Sequence, residues 1–537
     1  MSDKVYGIDL GTTYSAVALI NDAGIPEMVK NFVGQDTTPS VVYFNDDGTV
    51  DVGSSAKQTQ VSDPDNACAL IKRHMGEDYQ LEFRGQTYTP ESISALILKE
   101  LVNNANSQNG LDIHKAVITV PAYFGTLERA ATRQAGEIAG LEVVGPIPEP
   151  VAAAISLGTK QEEKKTLFVF DLGGGTFDTT ILNAQAGKVE VIAIDGSRLL
   201  GGADWDGRLQ DLFMEKYTLQ AGLSDDDDPS ADDEFMTDLQ VQVEDAKKML
   251  TVRPSTSLLL NYNGNKQKVE VSREEFEAAT DELVARTVKI SQRVLKTAQE
   301  KSPGLTIDHF LLVGGSSRMP MVATALKAAG FSPENTDFDL AVAKGAAIFG
   351  QGELPAFEFG DASASSSATT SGDPTTPVRP GVGPAKMTVT NVLSRGLGIE
   401  MVKEDASGNL EPYVLFLAHA NETLPLMAST EGGIVQEGQT TVEAALYEQG
   451  GETESDKIVH NKALKSGEDT RITGLPPMHV GDPINVSLDV TEEGLVTLVV
   501  VEPVTGKSFR ATASISVLSK EQVAAYKEQI AGIMTRS

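Results

Sequence analysis

Two glycine-rich loops that each begin with an aspartate carry the strongest chemical signal in the sequence. Asp9 opens the run Asp-Leu-Gly-Thr-Thr, Asp171 opens Asp-Leu-Gly-Gly-Gly-Thr-Phe-Asp, and each run lies between two apolar, strand-like segments. Glycines let a backbone turn tightly and approach a ligand, so that N–H groups and threonine hydroxyls can surround phosphate oxygens. The aspartates would repel phosphate unless a divalent cation lay between them. The pair of loops therefore predicts a clamp for a magnesium–nucleotide complex.

A third glycine turn follows the apolar segment at residues 310–313. Gly314 and Gly315 would let a flat base or sugar lie against the backbone, and Arg318 could stack on the base. Taken alone, each of the first two loops is better explained as an ordinary hairpin, and the third turn could be a plain strand–helix connection. The convergence of all three favours a nucleotide site, although the sequence has no Walker-type P-loop.

The elements that must position these loops alternate between strand-like and helix-like segments over residues 1–354. The predicted strands lie at residues 5–10, 16–20, 116–121, 168–172, 179–182, 189–194 and 310–313, and the predicted amphipathic helices at residues 127–139, 235–251 and 273–297. Alternation of this kind is typical of α/β layers.

The composition changes after residue 354. Residues 355–386 are rich in Ser, Thr, Pro and Gly, which predicts a flexible linker. Residues 387–518 alternate apolar and polar side chains, as at residues 484–490, which predicts an antiparallel β domain. Ser-Lys-Glu-Gln at residues 519–522 is a capping-box pattern, so a short helix is expected within residues 519–537.

Composition excludes several classes of function. The 537 residues carry 76 acids against 44 bases, a net charge of −32, so we expect neither a nucleic-acid partner nor an anionic membrane surface. The acidic run at residues 225–234 predicts a solvated loop and not a calcium site. Cys68 is the only cysteine, which excludes an intramolecular disulfide. The sequence shows neither a signal peptide nor an 18-residue apolar run, and a cytoplasmic location is expected.

The three motifs, in this order and spacing, resemble the superfamily of actin, hexokinase and the 70-kDa heat-shock ATPases. The segments that narrow the resemblance to the heat-shock branch are residues 7–15, 71–73, 116–124, 147–154, 170–182, 200–206 and 310–322. The match covers nearly all of residues 1–350 and resumes, more weakly, from residue 397 to about residue 518. It implies an actin-like ATPase domain of duplicated ribonuclease H-like halves at 1–354, followed by a β-sandwich substrate-binding domain at 387–518.

The resemblance also implies roles for individual residues in hydrolysis of ATP to ADP. Lys72 would place the attacking water or stabilise charge on the γ-phosphate. Glu149 would orient water and couple the nucleotide to the two halves. Thr176 would contact the γ-phosphate, and Asp178 would support the water network. Catalysis of this kind depends mostly on positioning and electrostatics.

Metal and nucleotide contacts follow from the same resemblance. Asp9 and Asp171 would hold Mg²⁺ largely through waters, with K⁺ nearby, and Pro121 and Arg129 would form an interdomain relay. The implied nucleotide contacts are Gly11, Thr12, Thr13, Tyr14, Gly173, Gly174, Gly175, Gly202, Glu244, Lys247, Lys248, Thr251, Gly315, Ser316, Arg318 and Asp339. Four of them lie at spacings of three and four in the predicted helix at residues 235–251, so several can face one ligand.

This sequence departs from the family pattern at four places. The stretch at residues 78–89 is shorter, which would alter contacts with a nucleotide-exchange factor. The segment at residues 387–391 is polar where the family has an apolar linker, which predicts weak coupling between domains. Gly145, Pro148 and Asn391 replace residues used for J-domain co-chaperones, which leaves the use of such a partner open. The helical lid is reduced to residues 519–537, so fast exchange of clients is expected.

Three functions compete on the sequence alone. The leading hypothesis is a chaperone whose β domain binds unfolded or extended polypeptides, with residues 413–417 and 427–429 as candidate contacts. These residues are equally well explained as plain core. The alternative is a nucleotide-gated adaptor for one dedicated protein partner. A sugar or metabolite kinase would leave the β domain unexplained.

Overall fold

The structure is a computed structural model that describes residues 4–157, 163–185, 187–223, 227–334, 340–352, 387–404, 408–465, 471–492, 494, 496–503, 506, 508–512 and 517–537. Its first elements are β1 (Val5–Asp9), β2 (Tyr14–Ile20), β3 (Pro26–Val29), β4 (Thr38–Pro39), β5 (Val42–Phe44), β6 (Val50–Val52), α1 (Ser54–Thr59), β7 (Ala67–Cys68), β8 (Leu81–Phe83), β9 (Gln86–Tyr88), α2 (Pro90–Asn109), β10 (Lys115–Val120), α3 (Thr126–Ile138), β11 (Glu142–Pro148) and α4 (Glu149–Ser156). They continue with β12 (Lys165–Leu172), β13 (Phe177–Gln185), β14 (Lys188–Ser197), α5 (Gly202–Ala221), α6 (Asp233–Val252), β15 (Ser255–Tyr262), β16 (Asn265–Ser272), α7 (Arg273–Ala279), α8 (Asp281–Lys301), β17 (His309–Val313), α9 (Pro320–Ala328), β18 (Pro333–Glu334) and α10 (Ala341–Gln351). The last elements are β19 (Thr388–Thr390), β20 (Leu397–Glu404), β21 (Leu410–Ala418), β22 (Leu426–Gly433), β23 (Val442–Glu443), β24 (Leu446–Gln449), β25 (Asn461–Lys465), β26 (Arg471–Ile472), β27 (Pro483–Val490), β28 (Val496–Val501), β29 (Ser508–Thr512), α11 (Lys520–Gly532) and β30 (Thr535–Arg536).

Two sheets in the N-terminal part, residues 4–352, share one strand arrangement. The first has the order β11-β10-β1-β2-β3, and the second has the order β18-β17-β12-β13-β14. Each has a central antiparallel hairpin, β1–β2 or β12–β13, with a parallel strand beside it. Phe168, Val169 and Phe170 are all fully buried, because both faces of the second sheet are covered. The glycine loops therefore occupy equivalent positions, at the ends of β1 and β12.

Helices α4 and α10 pack closely between the two sheets. A Cβ on Gly345 of α10 would lie 1.7 Å from the carbonyl oxygen of Ala152 in α4, and a Cβ on Gly7 would lie 2.2 Å from that of Ala343. Glycine at both positions thus permits backbone contact that a larger residue would prevent. The core there combines residues of both sheets, such as Val117 and Val169.

The long helices of the N-terminal part differ from the sequence prediction at one point. Helices α3 and α6 lie within two residues of the predicted bounds, at Thr126–Ile138 and Asp233–Val252. The single helix predicted at residues 273–297 is wrong, because Thr280 separates α7 from α8. The backbone at Thr280 leaves the helical region, with φ −122° and ψ 10°, and its amide donates to the carbonyl of Glu277, which ends the first helix.

The β domain, described from residue 391 to residue 512, contains two four-stranded antiparallel sheets. Their orders are β21-β20-β24-β25 and β22-β27-β28-β29. Strands β21 and β22 are each the edge of a sheet, and they follow one another in the chain. Apolar side chains from both sheets, such as Leu397 and Leu488, form one core. The linker predicted at residues 355–386 lies outside the described residues.

Segments on both sides of the β domain lie against the N-terminal part. Strand β19 pairs in parallel with Lys188–Glu190 of β14. The polar segment thus docks through backbone hydrogen bonds, which side-chain polarity does not weaken. After the β domain, the predicted capping box of α11 is confirmed by reciprocal bonds between Ser519 and Gln522.

Helix α11 does not lie over the β domain. Its apolar face, with Tyr526 and Ile530, packs into the core formed by α2 and α3. Thr535 and Arg536 of β30 pair in parallel with Val50 and Asp51 of β6. The C-terminal segment, residues 517–537, therefore fastens the β domain to the N-terminal part. In the described ranges, no helix is long and apolar enough to cross a membrane.

Candidate functional site

The loop between β1 and β2 is held from behind by hydroxyl and amide groups. The Ser40 hydroxyl donates to the carbonyl of Gly11 at 2.8 Å, and the Ser40 amide donates to the carbonyl of Thr13 at 2.9 Å. The Gly11 amide donates to the Ser15 hydroxyl. A Cβ on Gly11 would lie 2.0 Å from the carbonyl oxygen of Tyr14, so this turn requires glycine.

The loop between β12 and β13 lies directly against the first loop. A Cβ on Gly174 would lie 2.3 Å from Oγ1 of Thr13, and a Cβ on Gly175 would lie 2.4 Å from Cγ2 of Thr12. The sequence prediction that two Asp-Gly loops face each other agrees with this contact. The bare glycine backbone of one loop and the threonine hydroxyls of the other bound one narrow space.

Four carboxylates and one ammonium group lie at the mouth of this space. The Lys72 ammonium contacts Oε1 of Glu149 at 2.7 Å, and only 5% of the Lys72 side chain is exposed. Burial, and then the charge of Glu149, raise the pKa of Asp9 to about 7 and that of Asp178 to about 7. The same two causes raise the pKa of Asp171 well above its usual value. One ammonium cannot balance four carboxylates, so the cluster has the charge of a cation site.

The aspartates are oriented by neutral donors. The Thr119 hydroxyl donates to Oδ1 of Asp9 at 3.1 Å, and the Tyr123 amide donates to Oδ1 of Asp178 at 2.7 Å. Within the described ranges, no three side chains of His, Cys, Asp or Glu converge closely enough to hold a metal ion directly. Mg²⁺ usually keeps several waters and takes only one or two carboxylates, so the donor set fits that ion.

The two glycine loops open into a cleft between the half of the ATPase part that contains the first sheet and the half that contains the second. Across this cleft, Tyr14 of the first half contacts α6 of the second half. The Tyr14 hydroxyl donates to Oε1 of Glu244 at 2.9 Å, and Lys248 contacts the same oxygen at 2.7 Å. Lys57 forms an ion pair with the other oxygen of Glu244. Burial alone would raise the pKa of Glu244, but the two ammonium groups outweigh it and lower the pKa to about 2. Because Lys57 follows β6 and Glu244 belongs to α6, this ion pair spans the cleft.

Lys247 connects α6 to the start of α5. Its ammonium contacts Oδ2 of Asp206 at 2.8 Å and donates to the carbonyl of Gly202 at 2.9 Å. A Cβ on Gly202 would lie 2.3 Å from the Ser316 hydroxyl, so the third glycine turn also reaches this point. The Thr251 hydroxyl instead donates to the Lys247 carbonyl one turn back in its own helix.

The third turn, after β17, leaves room for a flat group. Gly314 adopts φ +82°, and its Cβ would lie 2.5 Å from the Leu172 carbonyl oxygen, so glycine is required there. Gly315 has nothing within 4 Å of its would-be Cβ, and it is exposed, as is Arg318. Asp339, the last predicted nucleotide contact, lies outside the described residues.

The cleft also contains residues that sequence reasoning did not select. Ser40 supports the first loop, Lys57 crosses the cleft and Arg73 contacts the second loop. Lys57 and Glu244 are 187 positions apart, so no local pattern could have paired them. Arg73 had a usable signal, since it directly follows Lys72 in one of the segments that carry the resemblance.

Comparison with known proteins places these features in a family. A family model described as "Hsp70 protein" matches residues 5–83 and 78–363. Two curated proteins named "Chaperone protein DnaK", from Halobacterium salinarum strains R1 and NRC-1, are each 35% identical over 510 residues. Each alignment covers 93% of this chain and 73% of the relative.

Proposed function

The chain belongs to the 70-kDa heat-shock protein (Hsp70) family and is an ATP-hydrolysing chaperone of that type, and we propose that its two glycine loops hold the phosphates of ATP between them. The observation that carries this proposal is the contact of Gly174 and Gly175 with the threonines of the first loop, beside the carboxylate cluster. The shared strand order of the two sheets supports an actin-like, duplicated ATPase domain at residues 1–354.

Asp9 and Asp171 are the residues that would hold Mg²⁺, through waters, with K⁺ nearby. When bound there, Mg²⁺ would neutralise charge on the phosphates. The excess of buried carboxylate over ammonium supports this assignment, because it would be costly without a cation. The Thr119 hydroxyl keeps Asp9 directed into the cleft.

Hydrolysis is assigned to four residues around the γ-phosphate. Glu149 fixes the Lys72 ammonium at 2.7 Å, so that Lys72 stabilises charge on the transferring group and places the attacking water. Asp178, held by the Tyr123 amide, orients the water network. The Thr176 hydroxyl and amide donate to the γ-phosphate. These contacts hold Lys72, Glu149 and Asp178 in place, and groups that are held in place in this way can stabilise the charge of a transition state.

The adenosine is assigned to the far side of the cleft. Glu244 would accept from the ribose hydroxyls, and Lys247, Lys248 and Ser316 line the same side. The open space at Gly315 suits the base, with Arg318 beside it. The Lys57–Glu244 ion pair spans the cleft over the nucleotide, so release of ADP requires it to open.

Client polypeptides are assigned to the edges of the two β-domain sheets. Strands β21 and β22 are both edge strands in the part of the chain that the structure describes. The Val414 amide of β21 already donates to the Asp456 carbonyl at 2.8 Å, so the β22 edge is the better candidate for pairing with an extended segment. Met427 is 80% exposed beside this edge, and Leu415, Phe416 and Leu417 are half-buried. Val414, in contrast, is fully buried and belongs to the core. Helix α11 packs elsewhere, so the fast client exchange expected from the sequence stays a prediction.

Partner proteins stay predictions from the sequence. Gly145 and Pro148 both lie in β11, the region with which the family binds a J-domain co-chaperone. Neither residue carries a charged group that such a partner could bind. The shortened stretch at residues 78–89 forms the hairpin β8–β9. Its short length would alter the contacts that this part of the chain makes with a nucleotide-exchange factor. A cytoplasmic location also stays a prediction.

Steady-state hydrolysis tests the nucleotide site. We expect Lys72→Ala to lower kcat by at least about 100-fold, by analogy with the loss of one oriented charge-stabilising group. Lys296→Ala is the matched control, since that ammonium is 78% exposed on α8. Equal turnover in the two variants would refute the assignment.

A fluorescent apolar peptide tests the client site. We expect tighter binding with ADP than with ATP, and weaker binding by Met427→Glu. An affinity for peptide that is the same with ADP and with ATP, and the same in Met427→Glu, would refute the edge-strand assignment. Silence on all peptides, with one protein recovered from extract, would favour the adaptor function.

A further inference from the structure

Arg73 reaches across the cleft to the loop between β12 and β13. It belongs to a short 3₁₀ turn, Ile71–His74, whose Ile71 is part of the core of the first sheet. Its Nε donates to the carbonyl of Gly175 at 3.1 Å. Its Nη2 and Nη1 donate to the two carboxylate oxygens of Asp204 at 2.5 and 3.5 Å. The arginine therefore joins the half that carries Lys72 to the loop that carries Thr176.

The other two glycine carbonyls of this loop are held from its own half. The carbonyl of Gly173 accepts from the Gly202 amide at 2.9 Å, and that of Gly174 accepts from the Ala203 amide at 2.8 Å. Both donors lie in the first turn of α5, where backbone amides lack partners within the helix. Of the three consecutive glycine carbonyls, only that of Gly175 is held by the opposite half in the described part of the chain.

Peptide planarity turns this contact into an orientation for Thr176. In a trans peptide the carbonyl of one residue and the amide of the next point in opposite directions. Fixing the Gly175 carbonyl on Arg73 therefore aims the Thr176 amide away from Arg73 and fixes the plane of the peptide between Gly175 and Thr176. Thr176 is the residue assigned to the γ-phosphate, so its amide is a donor to the transferring group.

Arg73 is itself held firmly by Asp204. Asp204 accepts from both guanidinium nitrogens and also from the Gly201 amide at 2.7 Å, which completes the cap of α5. The Arg73 side chain is only 16% exposed. Leu70, three residues earlier, adopts φ +59°, which is unfavourable for leucine and turns the chain into the Ile71–His74 segment. Strain of this kind persists where the surrounding structure demands a particular orientation.

We propose that Arg73 is a positioning residue for ATP hydrolysis, which orients the Thr176 amide towards the γ-phosphate only when the two halves are closed. The proposal rests on the nucleotide site assigned above. Its reach from one half to the other makes the orientation depend on closure. An open cleft would leave the Gly175 carbonyl without this donor and let the peptide between Gly175 and Thr176 rotate.

Steady-state and single-turnover hydrolysis by the full chain test the proposal with Arg73→Met and Arg73→Lys. We expect Arg73→Met to lower kcat about 10-fold or more with the KM for ATP within about 3-fold, because a misaligned donor affects mainly the transition state. Arg73→Lys should recover only part of the rate, since an ammonium cannot reproduce the fork that bonds carbonyl and carboxylate together.

Arg84→Met is the matched control. Arg84 also bonds one carbonyl, that of Phe44 at 3.2 Å, and it pairs with the carboxylates of Asp63 at 2.8 Å and Asp46 at 3.0 Å, none of which belongs to the nucleotide site. An equal loss of kcat in both methionine variants, or full recovery by Arg73→Lys, would overturn the proposal. So would an unchanged kcat in Arg73→Met.

Two further variants separate this proposal from the nucleotide site on which it rests. If Lys72→Ala keeps full turnover, the site itself is wrong. If Lys72→Ala is inactive and Arg73→Met is fully active, only the role of Arg73 fails.

Asp204→Asn keeps an oxygen for the Gly201 amide but removes the charge that holds Arg73. Combined with Arg73→Met it should cost nothing further, and an added loss of kcat would contradict the proposed chain of contacts.

Discussion

Gly125 offers the sharpest test of how the β domain is attached to the ATPase part. It is the N-cap of α3, and as glycine it supplies no side-chain cap. Glu448 of the β domain takes that role, since its Oε1 accepts from the Thr126 amide at 2.8 Å and from the Thr126 hydroxyl at 3.0 Å. A Cβ on Gly125 would lie 2.2 Å from the other oxygen of Glu448. Gly125→Ser should therefore expel this carboxylate.

The expected magnitude follows from the two lost bonds. A hydrogen bond to a charged group contributes about 1.5–3 kcal/mol. Both donors, the Thr126 amide and hydroxyl, are uncharged, so we take the lower end of that range. Loss of both bonds would then cost about 3 kcal/mol, or roughly 100-fold in the docking equilibrium. The new serine caps α3 itself, so the isolated helix should gain only a few tenths of a kcal/mol.

Energy transfer between dyes on the two parts measures docking directly. Lys296 and Val459 are 78% and 86% exposed and suit substitution by cysteine. Burial raises the pKa of the Cys68 thiol to about 12, so that native cysteine should label slowly. Gly145→Ser is the control, since a Cβ there meets nothing within 4 Å. Transfer that is equally efficient in Gly125→Ser and in the control would refute the reasoning.

Three further changes follow from the contacts of single residues. Lys99 donates to the carbonyls of residues 530 and 533 at 2.7 and 2.6 Å and so caps the end of α11. Lys99→Met should therefore speed hydrogen exchange in α11, whereas the control Lys527→Met should not. Equal exchange rates in the two variants would contradict this cap. The pKa of Glu244 is about 2 when folded against a usual 4.5, so Glu244→Gln should lower the free energy of unfolding above about pH 4.5 and lose that effect towards pH 2; a cost constant with pH in denaturant titrations would exclude the ion pair as its cause. Gly345→Ala should destabilise by about 3 kcal/mol or more, because its Cβ would overlap α4, whereas Gly207→Ala in α5 has open space and should stabilise by about 0.5–1 kcal/mol; thermal denaturation distinguishes the signs.

Local signals in the sequence were enough to identify the loops and most elements. Asp9 and Asp171 could be found because tight turns beside strands require glycine at fixed offsets. The break at Thr280 could not, because apolar spacing continues through α7 and α8 as if they were one helix. The backbone at Thr280, with φ −122° and ψ 10°, separates the two helices, and hydrophobic periodicity does not report such a local change of dihedral angles.

Contacts between distant segments were also beyond the sequence. The bond from Thr126 to Glu448 joins residues 322 positions apart, and β30 pairs with β6 near the opposite end of the chain. No local pattern specifies such partners, because the residues around each position are compatible with many different partners elsewhere in the chain. The expectation of weak linker docking considered side chains, whereas β19 pairs with β14 through backbone groups, and the strength of the coupling stays a prediction.

The segment between β10 and α3 brings the two halves of the mechanism together. The Tyr123 amide holds Asp178 of the proposed hydrolysis site, while the guanidinium of Arg395 in the β domain lies 4.6 Å from the centre of the Tyr123 ring. One residue later, the Phe124 carbonyl accepts from the Ser394 hydroxyl of the β domain. Docking therefore acts within one residue of the group that holds Asp178, and cleft closure acts separately, through Arg73 on Thr176.

The two routes use different residues, although Lys462 of the β domain also donates to the Gly76 carbonyl at 2.8 Å, two residues after the Arg73 turn. A double variant therefore measures how strongly the two routes are coupled. Gly125→Ser should alter turnover through Asp178, and Arg73→Met should alter it through Thr176. Thr176 and Asp178 lie two positions apart in one loop and are assigned to the same transferring group, so the double variant should lower turnover by less than the product of the two factors. A double variant no slower than Arg73→Met alone would mean that docking acts on turnover only by closing the cleft.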